Sequence, residues 1–189
     1  MAELPDTPTA ILACAAELLR QSSFDDISYR ALAAEVGVSE RTVYRQYPTR
    51  AHLLEGLAQW IEEREFGMAP FVTLAQFQAA VRRRFRDYDA SPAFAFVCAR
   101  AAAVSPTTDT EPTFLTRAIE AMLATEAPTL NDRDLNRLVA TLRTFASAQF
   151  WSRMRTAFDL DAADIADVFD RTVRAAVGGV IASRPTVTS

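Results

Sequence analysis

Apolar residues recur at intervals of three and four along nearly the whole sequence, whereas stretches that alternate apolar and polar residues are scarce. The first pattern places apolar side chains along one stripe of an α-helix, and the second would be needed for a half-buried strand. Ala and Leu are frequent, and only 5 residues are Gly, which also favours helix over sheet. The sequence therefore predicts an all-α protein.

The spacing predicts four helices before Gly67 and about five after it. Gly67 and Pro70 interrupt the helical pattern, so we expect two domains, 1–67 and 68–189. The expected helices cover, approximately, residues 7–20, 29–36, 40–47, 50–66, 73–89, 92–104, 111–125, 131–158 and 162–183.

Composition limits the cellular setting and the kind of site. Half of the residues are hydrophobic, yet no apolar run approaches the ~20 residues of a membrane span, and the first eight residues do not resemble a secretory signal. We expect a cytoplasmic protein that does not insert into membranes. Cys14 and Cys98 are expected to be buried and reduced, and a single His argues against a zinc site. No metal or cofactor is expected.

The charge of the chain gives two opposing indications. A net charge of -4 argues against nucleic acid as a partner, because phosphate binding needs a positive surface. However, the segment from Arg41 to Arg50 holds three arginines and no acid. All 20 basic residues are Arg, whose planar guanidinium suits phosphates and guanine edges. The local distribution therefore leaves DNA open as a partner.

Two short helices separated by a glycine turn form the most informative segment. Ser28 is expected to cap the helix 29–36, and Gly37 can adopt the left-handed conformation that ends it. Ser39 is then placed to cap a second helix, 40–47, which Pro48 terminates. This arrangement predicts a helix-turn-helix, whose second helix enters the major groove of DNA.

The second short helix carries side chains suited to contact DNA. Val43 and Tyr47 are expected to anchor it to the core, while Arg41 can reach guanine and Tyr44 a phosphate. Thr42 and Arg50 are further phosphate candidates, and Arg45 and Gln46 suit either phosphates or bases. The alternative is an ordinary solvated helical hairpin. The predicted DNA-binding residues are Ser28, Ser39, Arg41, Thr42, Tyr44, Arg45, Gln46 and Arg50.

At these residues the chain resembles the TetR family of bacterial regulators. The matching runs are ILACAAELL at 11–19, ALAAEVGVS at 31–39, RTVYRQYP at 41–48, and Arg50 with Leu53 and Leu54. The family usually has Gly at the position of Ser23, Phe at that of Tyr47 and Lys at that of Arg50. By resemblance, Thr42, Tyr44 and Arg50 contact phosphates or bases, whereas Arg41 and Arg45 are this chain's own candidates for reading sequence.

The resemblance further implies a helical domain that dimerises through its last two long helices and holds an effector pocket among the others. Many Phe together with Met favour an apolar or aromatic small molecule. Taken singly, an aromatic residue at helical spacing belongs more often to the core, and that alternative stays open for each of them. The candidate pocket residues are Phe77, Phe85, Tyr88, Phe94, Phe96, Cys98, Phe114, Met122, Trp151 and Met154.

Together these features predict a homodimeric repressor that a small effector releases from a palindromic DNA operator. A helical carrier of hydrophobic ligands without DNA binding is the main alternative, and a dimeric scaffold for another protein is a third. An enzyme is not expected, because the sequence lacks GxSxG, HExxH, Walker and GxGxxG motifs.

Overall fold

The computed structural model describes residues 6–104 and 113–182, with side chains as far as Gly179. Over this part of the chain every long element is a helix, which confirms the all-α prediction. None of the described helices is long and apolar enough to cross a bilayer. Besides a single 3₁₀ turn at Phe24–Asp26, the helices are α1 Thr7–Leu19, α2 Tyr29–Val36, α3 Glu40–Gln46, α4 Arg50–Arg64, α5 Leu74–Ala90, α6 Pro92–Val104, α7 Phe114–Glu126, α8 Asp132–Phe145, α9 Ala148–Phe158 and α10 Ala162–Ala182.

The prediction of one continuous helix over 131–158 is wrong. At Ala146 the backbone leaves the helical region, with φ -88° and ψ 3°. Ser147 then caps a new helix, because its hydroxyl accepts from the Phe150 amide at 3.2 Å and donates to the Thr144 carbonyl at 2.7 Å. The segment therefore forms α8 and α9. The predicted start of the helix 111–125 and the predicted last residue of the helix 162–183 lie outside the described residues.

The helices cluster into two compact units. α1–α4 and α6 form the first unit, and α5 and α7–α10 form the second. The leading segment of the first unit ends at Gly67, where the domain boundary is expected, but α6 belongs to this unit rather than to the one that holds its sequence neighbours. The assignment of DNA binding to residues 1–67, and of effector binding and dimerisation to residues 68–189, stays a prediction.

The first unit is built around apolar side chains that α1, α2 and α4 direct inward. Ile11, Leu32, Leu53 and Leu57 are fully buried, as the helical spacing predicts. Phe24, in the 3₁₀ turn between α1 and α2, is also buried. This core is the platform on which α3 rests.

Two arginines hold the 3₁₀ turn that precedes α2. Arg50, the first residue of α4, donates to the carbonyl oxygens of Phe24 and Ile27, and its guanidinium lies 4.3 Å from the centroid of the Phe24 ring. Arg100 of α6 reaches the same turn and donates to both carboxylate oxygens of Asp25, at 3.0 and 2.9 Å. This hydrogen bonding lowers the pKa of the Asp25 carboxyl below its ordinary value. The start of α2 is therefore tied to α4 and α6.

Ser23 explains one departure from the family pattern. Its φ of -78° is an ordinary value for any residue, so this turn does not need the Gly that is usual there. The Ser23 hydroxyl donates to the Asp26 carboxylate at 2.6 Å, and its amide donates to the same carboxylate at 3.3 Å. These hydrogen bonds stabilise the turn, which therefore does not depend on the conformational freedom of a glycine.

In the second unit, two carboxylates join helices that are distant in sequence. Asp89, at the end of α5, accepts from the indole N–H of Trp151 at 2.8 Å and from the Ala162 amide at 2.9 Å. Asp170 of α10 is buried and accepts from Gln78 at 2.9 Å and from Arg82 Nε at 2.6 Å. Both carboxylates, of which Asp170 is buried and Asp89 half-buried, thereby have hydrogen-bond donors within the second unit.

Replacing Arg50 with Ala is expected to lower the free energy of unfolding by about 2–4 kcal/mol. The substitution leaves two partly buried carbonyl oxygens without a donor and removes the guanidinium from the Phe24 ring. Urea denaturation followed by circular dichroism measures the change.

Arg100→Ala is the matched control and should cost much less, because its ion pair with Asp25 is exposed to solvent. Arg50→Lys should lose less unfolding free energy than Arg50→Ala and more than Arg100→Ala, since an ammonium can form only part of the hydrogen bonds that the guanidinium forms. Equal losses for Arg50→Ala and Arg100→Ala would show that the Arg50 contacts do not stabilise the unit as described.

Candidate nucleic-acid interface

α2 and α3 are joined by a turn whose geometry the sequence determines residue by residue. The Ser28 hydroxyl caps α2 by accepting from the Ala31 amide at 3.1 Å. Gly37 ends α2 with φ +75°, a conformation that side chains rarely adopt. Ser39 then caps α3 by accepting from the Thr42 amide at 3.1 Å. The predicted helix-turn-helix is formed, with the predicted caps.

The inner side of α3 is held by buried contacts. Val43 and Tyr47 are buried, and the Tyr29 hydroxyl donates to the Tyr47 carbonyl at 2.7 Å. The Tyr47 hydroxyl donates to the Pro8 carbonyl at 3.3 Å, and burial raises the pKa of this phenol to about 12, so it remains a donor. At Gly56 of α4 a Cβ would lie 2.9 Å from Tyr47 Cε1. α4 therefore approaches α3 closely, and only glycine fits there without displacing the ring.

The outer side of α3 is open to solvent. Arg41 and Arg45 are exposed, and neither forms a hydrogen bond or an ion pair with any residue that the structure describes. Tyr44 is 52% exposed, and its ring lies 4.5 Å from that of Tyr29, in an edge-on contact that orients it. Two guanidinium groups and a phenol are thus presented on a short helix that is fixed from below.

The hydroxyl-bearing members of the predicted set already have local roles. Ser28 and Ser39 cap their helices, and the Thr42 hydroxyl lies 2.8 Å from that of Ser39. Ser28 and Ser39 are exposed, while Thr42 and Gln46 are half-buried. The hydroxyl groups of Ser28, Ser39 and Thr42 thus maintain the geometry at the start of α2 and of α3.

Arg50, whose predicted role as a phosphate ligand stays a prediction, has internal contacts in the structure. The structure uses its guanidinium internally, on the Phe24 ring and on two backbone carbonyls, and the residue is half-buried. Its first effect is therefore to position the segment that leads into α2. The sequence could not indicate this, because the partners are backbone atoms more than 20 residues away.

A cleft of about 340 Å³ lies beside α3 in the first unit. It brings Ser28, Tyr44 and Arg50 of the predicted set together with residues that sequence reasoning did not propose, above all Arg30 and Glu40. Arg30 falls in the first turn of α2, next to the predicted cap, and that position is the signal that could have identified it. The residues that line this α2–α3 cleft are Asp25, Ile27, Ser28, Tyr29, Arg30, Glu40, Tyr44, Thr49 and Arg50.

The predicted effector-pocket residues are divided between the two units. Phe94 and Cys98 are buried in the first unit, where Phe96 is exposed. In the second unit Phe114 is 79% exposed, so it lines no enclosed site within that unit, and Met154 is half-buried. The remaining candidates of the second unit are buried, namely Phe77, Phe85, Tyr88, Met122 and Trp151.

Aromatic packing accounts for most of the buried candidates in the second unit. Tyr88 and Trp151 have ring centroids 5.5 Å apart, and Phe85 lies 5.8 Å from Phe169. Phe77 is also 5.8 Å from Phe169. These distances are typical of rings that stabilise a core, which favours the core alternative for these residues.

Comparison with known proteins agrees with this geometry. Residues 11–57 match the sequence model of the family described as bacterial regulatory proteins, tetR family. The nucleoid occlusion factor SlmA of Shewanella sp. (strain W3-18-1) is 47% identical over 53 residues, which are 28% of this chain and 27% of that protein. SlmA of Shewanella pealeana is 49% identical over 53 residues, with the same coverage. The match therefore concerns a quarter of these relatives' length.

Two solved structures share the fold over most of the chain. A TetR transcriptional regulator from Rhodococcus sp. RHA1 has a TM-score of 0.66 and 17% sequence identity, covering 90% of this chain and 94% of its own. A tetR-family transcriptional regulator from Streptomyces coelicolor has a TM-score of 0.52 and 18% identity, covering 98% and 92%. The helix-turn-helix of this chain thus lies in the segment that matches the tetR-family model, and the chain shares the fold of these two regulators.

Proposed function

We propose that this chain regulates transcription by binding double-stranded DNA through α3. The observation that carries the proposal is the contrast between the two sides of that helix. Val43 and Tyr47 fix the inner side, whereas Arg41, Tyr44 and Arg45 stand exposed on the outer side. Arginines held on a rigid helix without internal partners are free to pair with phosphates and base edges.

Each exposed group has a role that its chemistry supports. Arg41, in the first turn of α3, suits guanine O6 and N7, and Arg45, one turn later, suits a base or a phosphate. The Tyr44 hydroxyl can donate to a phosphate, with Thr42 and Gln46 beside it. Arg50 supports these contacts by fixing the approach to α2. The net charge of -4 does not oppose this role, because the acids lie mostly outside the segment.

We further propose that the protein acts as a homodimer on a palindromic operator, joined through α8 to α10. Phe158 of α9 is 62% exposed and Val168 of α10 is 36% exposed, so apolar side chains remain uncovered on the last helices. Two α3 helices related by a twofold axis would meet half-sites about 34 Å apart, or a multiple of that spacing.

Repression and its release by a small, mostly apolar effector complete the proposal. The effector part of the proposal rests on the family resemblance and on the many Phe residues of the second unit, since the buried rings themselves pack on one another. Such a ligand would shift the protein away from DNA only by binding the two conformations with different affinity. The cell compartment proposed for this activity is the cytoplasm.

Substitution of the α3 arginines tests the DNA contact. Arg41→Ala and Arg45→Ala should each weaken binding to a duplex enriched from a random pool by about tenfold, because each loses a charged contact. The affinity of a variant that has lost a phosphate contact should also depend less on salt, by a slope of about 0.9 per contact. Fluorescence anisotropy at two salt concentrations measures both effects.

The control is Arg86→Ala, which removes the same charge from an exposed position in α5, outside the helices proposed to join the dimer. It should leave both affinity and salt slope nearly unchanged. If all three variants lose affinity equally, binding depends on overall charge and α3 is not the contact surface.

Val168→Glu tests the proposed dimer. A carboxylate on this exposed position of α10 should favour the monomer, because burying it at an apolar interface is costly. Light scattering coupled to size-exclusion chromatography measures the mass. Val72→Glu, at a 66% exposed position before α5, is the control and should remain dimeric. A dimer that persists in Val168→Glu would place the interface elsewhere.

A further inference from the structure

Arg30 and Glu40 bring opposite charges to the α2–α3 cleft. Arg30 lies in the first turn of α2 and Glu40 is the first residue of α3, and both line the cleft beside Tyr44. Both side chains are exposed, and neither has a hydrogen bond or ion pair with any part of the chain that the structure describes. The two side chains are therefore available to an external partner that offers both a donor and acceptors.

The negative charge of Glu40 is unexpected on a surface that approaches DNA. A carboxylate repels phosphates, so on charge alone it lowers affinity for every duplex. Capping does not require it, because the Ser39 hydroxyl already accepts from the Thr42 amide. A carboxylate that accepts a hydrogen bond from the amino group of cytosine offsets this repulsion, but only at sequences with cytosine in the correct place.

Arg30 supplies the complementary half of the same recognition. In the major groove a G·C pair offers the acceptors N7 and O6 on guanine and the donor N4 on cytosine. A guanidinium and a carboxylate that line the same cleft offer the matching donors and acceptor. An A·T pair offers no such arrangement, because thymine presents an acceptor and a methyl group where cytosine presents its amino group.

We infer that Arg30 and Glu40 together read one G·C base pair of the operator. Arg30 donates to guanine, and Glu40 accepts from the amino group of its paired cytosine. This assignment rests on the proposed function and adds to it a second reading position, separate from Arg41 and Arg45. Glu40 is then a specificity residue, which discriminates among duplexes rather than strengthening binding to all of them.

The test compares base preference position by position. The wild-type protein first selects a duplex from a random pool, and each base pair of that duplex is then replaced by the other three. Affinities are measured for the wild-type chain and for Glu40→Ala, Glu40→Gln and Arg30→Ala. The control is Glu35→Gln, which neutralises an exposed acid of α2 that does not line the cleft.

Wild-type protein should prefer G·C at one position of each half-site by at least about fivefold. Glu40→Ala and Arg30→Ala should both reduce that preference, at the same position, and leave the others unchanged. Glu40→Gln should bind all duplexes more tightly and keep part of the preference, because its amide oxygen still accepts. Glu35→Gln should keep the full preference. Thermal melting of each variant confirms that it is folded.

Three results would overturn the inference. Glu40→Ala and Arg30→Ala could relax different positions, or change affinity uniformly across all duplexes, or leave every preference intact. In each case the selected duplex itself would still support the proposed function. If instead the wild-type protein enriches no sequence, the proposed function fails, and the inference fails with it.

Discussion

The burial of Tyr47 is the constraint on which the DNA-facing surface depends. This residue ends α3, receives the Tyr29 hydroxyl on its carbonyl at 2.7 Å, and packs where α4 has glycine instead of a side chain. A helix of seven residues is too short to be stable alone in water, so α3 persists because its inner side is fixed by tertiary contacts. Everything proposed for its outer side follows from that attachment.

The arginines of the first unit illustrate how one residue type serves two purposes. Arg50 and Arg100 are directed inward, onto the 3₁₀ turn at Phe24–Asp26, and there they determine where α2 begins. Arg41 and Arg45 are directed outward and have no partner in the part of the chain that the structure describes. Because the chain has no Lys, composition cannot distinguish these groups, and only the fold separates structural from recognition arginines.

Local signals predicted much of this architecture. The caps at Ser28 and Ser39 and the stop at Gly37 depend on neighbours within a few residues, so the sequence contains the information that positions α2 and α3. What it could not indicate depends on contacts between distant segments. The break at Ala146, the burial of Arg84 among the helices of the second unit and the inward orientation of Arg50 all belong to this class.

Arginine-selective modification by phenylglyoxal, read by mass spectrometry with and without the selected duplex, tests most directly whether the outer side of α3 meets DNA. Arg41 and Arg45 should react in the free protein and be protected in the complex, Arg50 should react slowly in both, and the exposed Arg86 of α5 should react in both. Unchanged reactivity of Arg41 and Arg45 in a saturated complex would contradict contact between α3 and DNA.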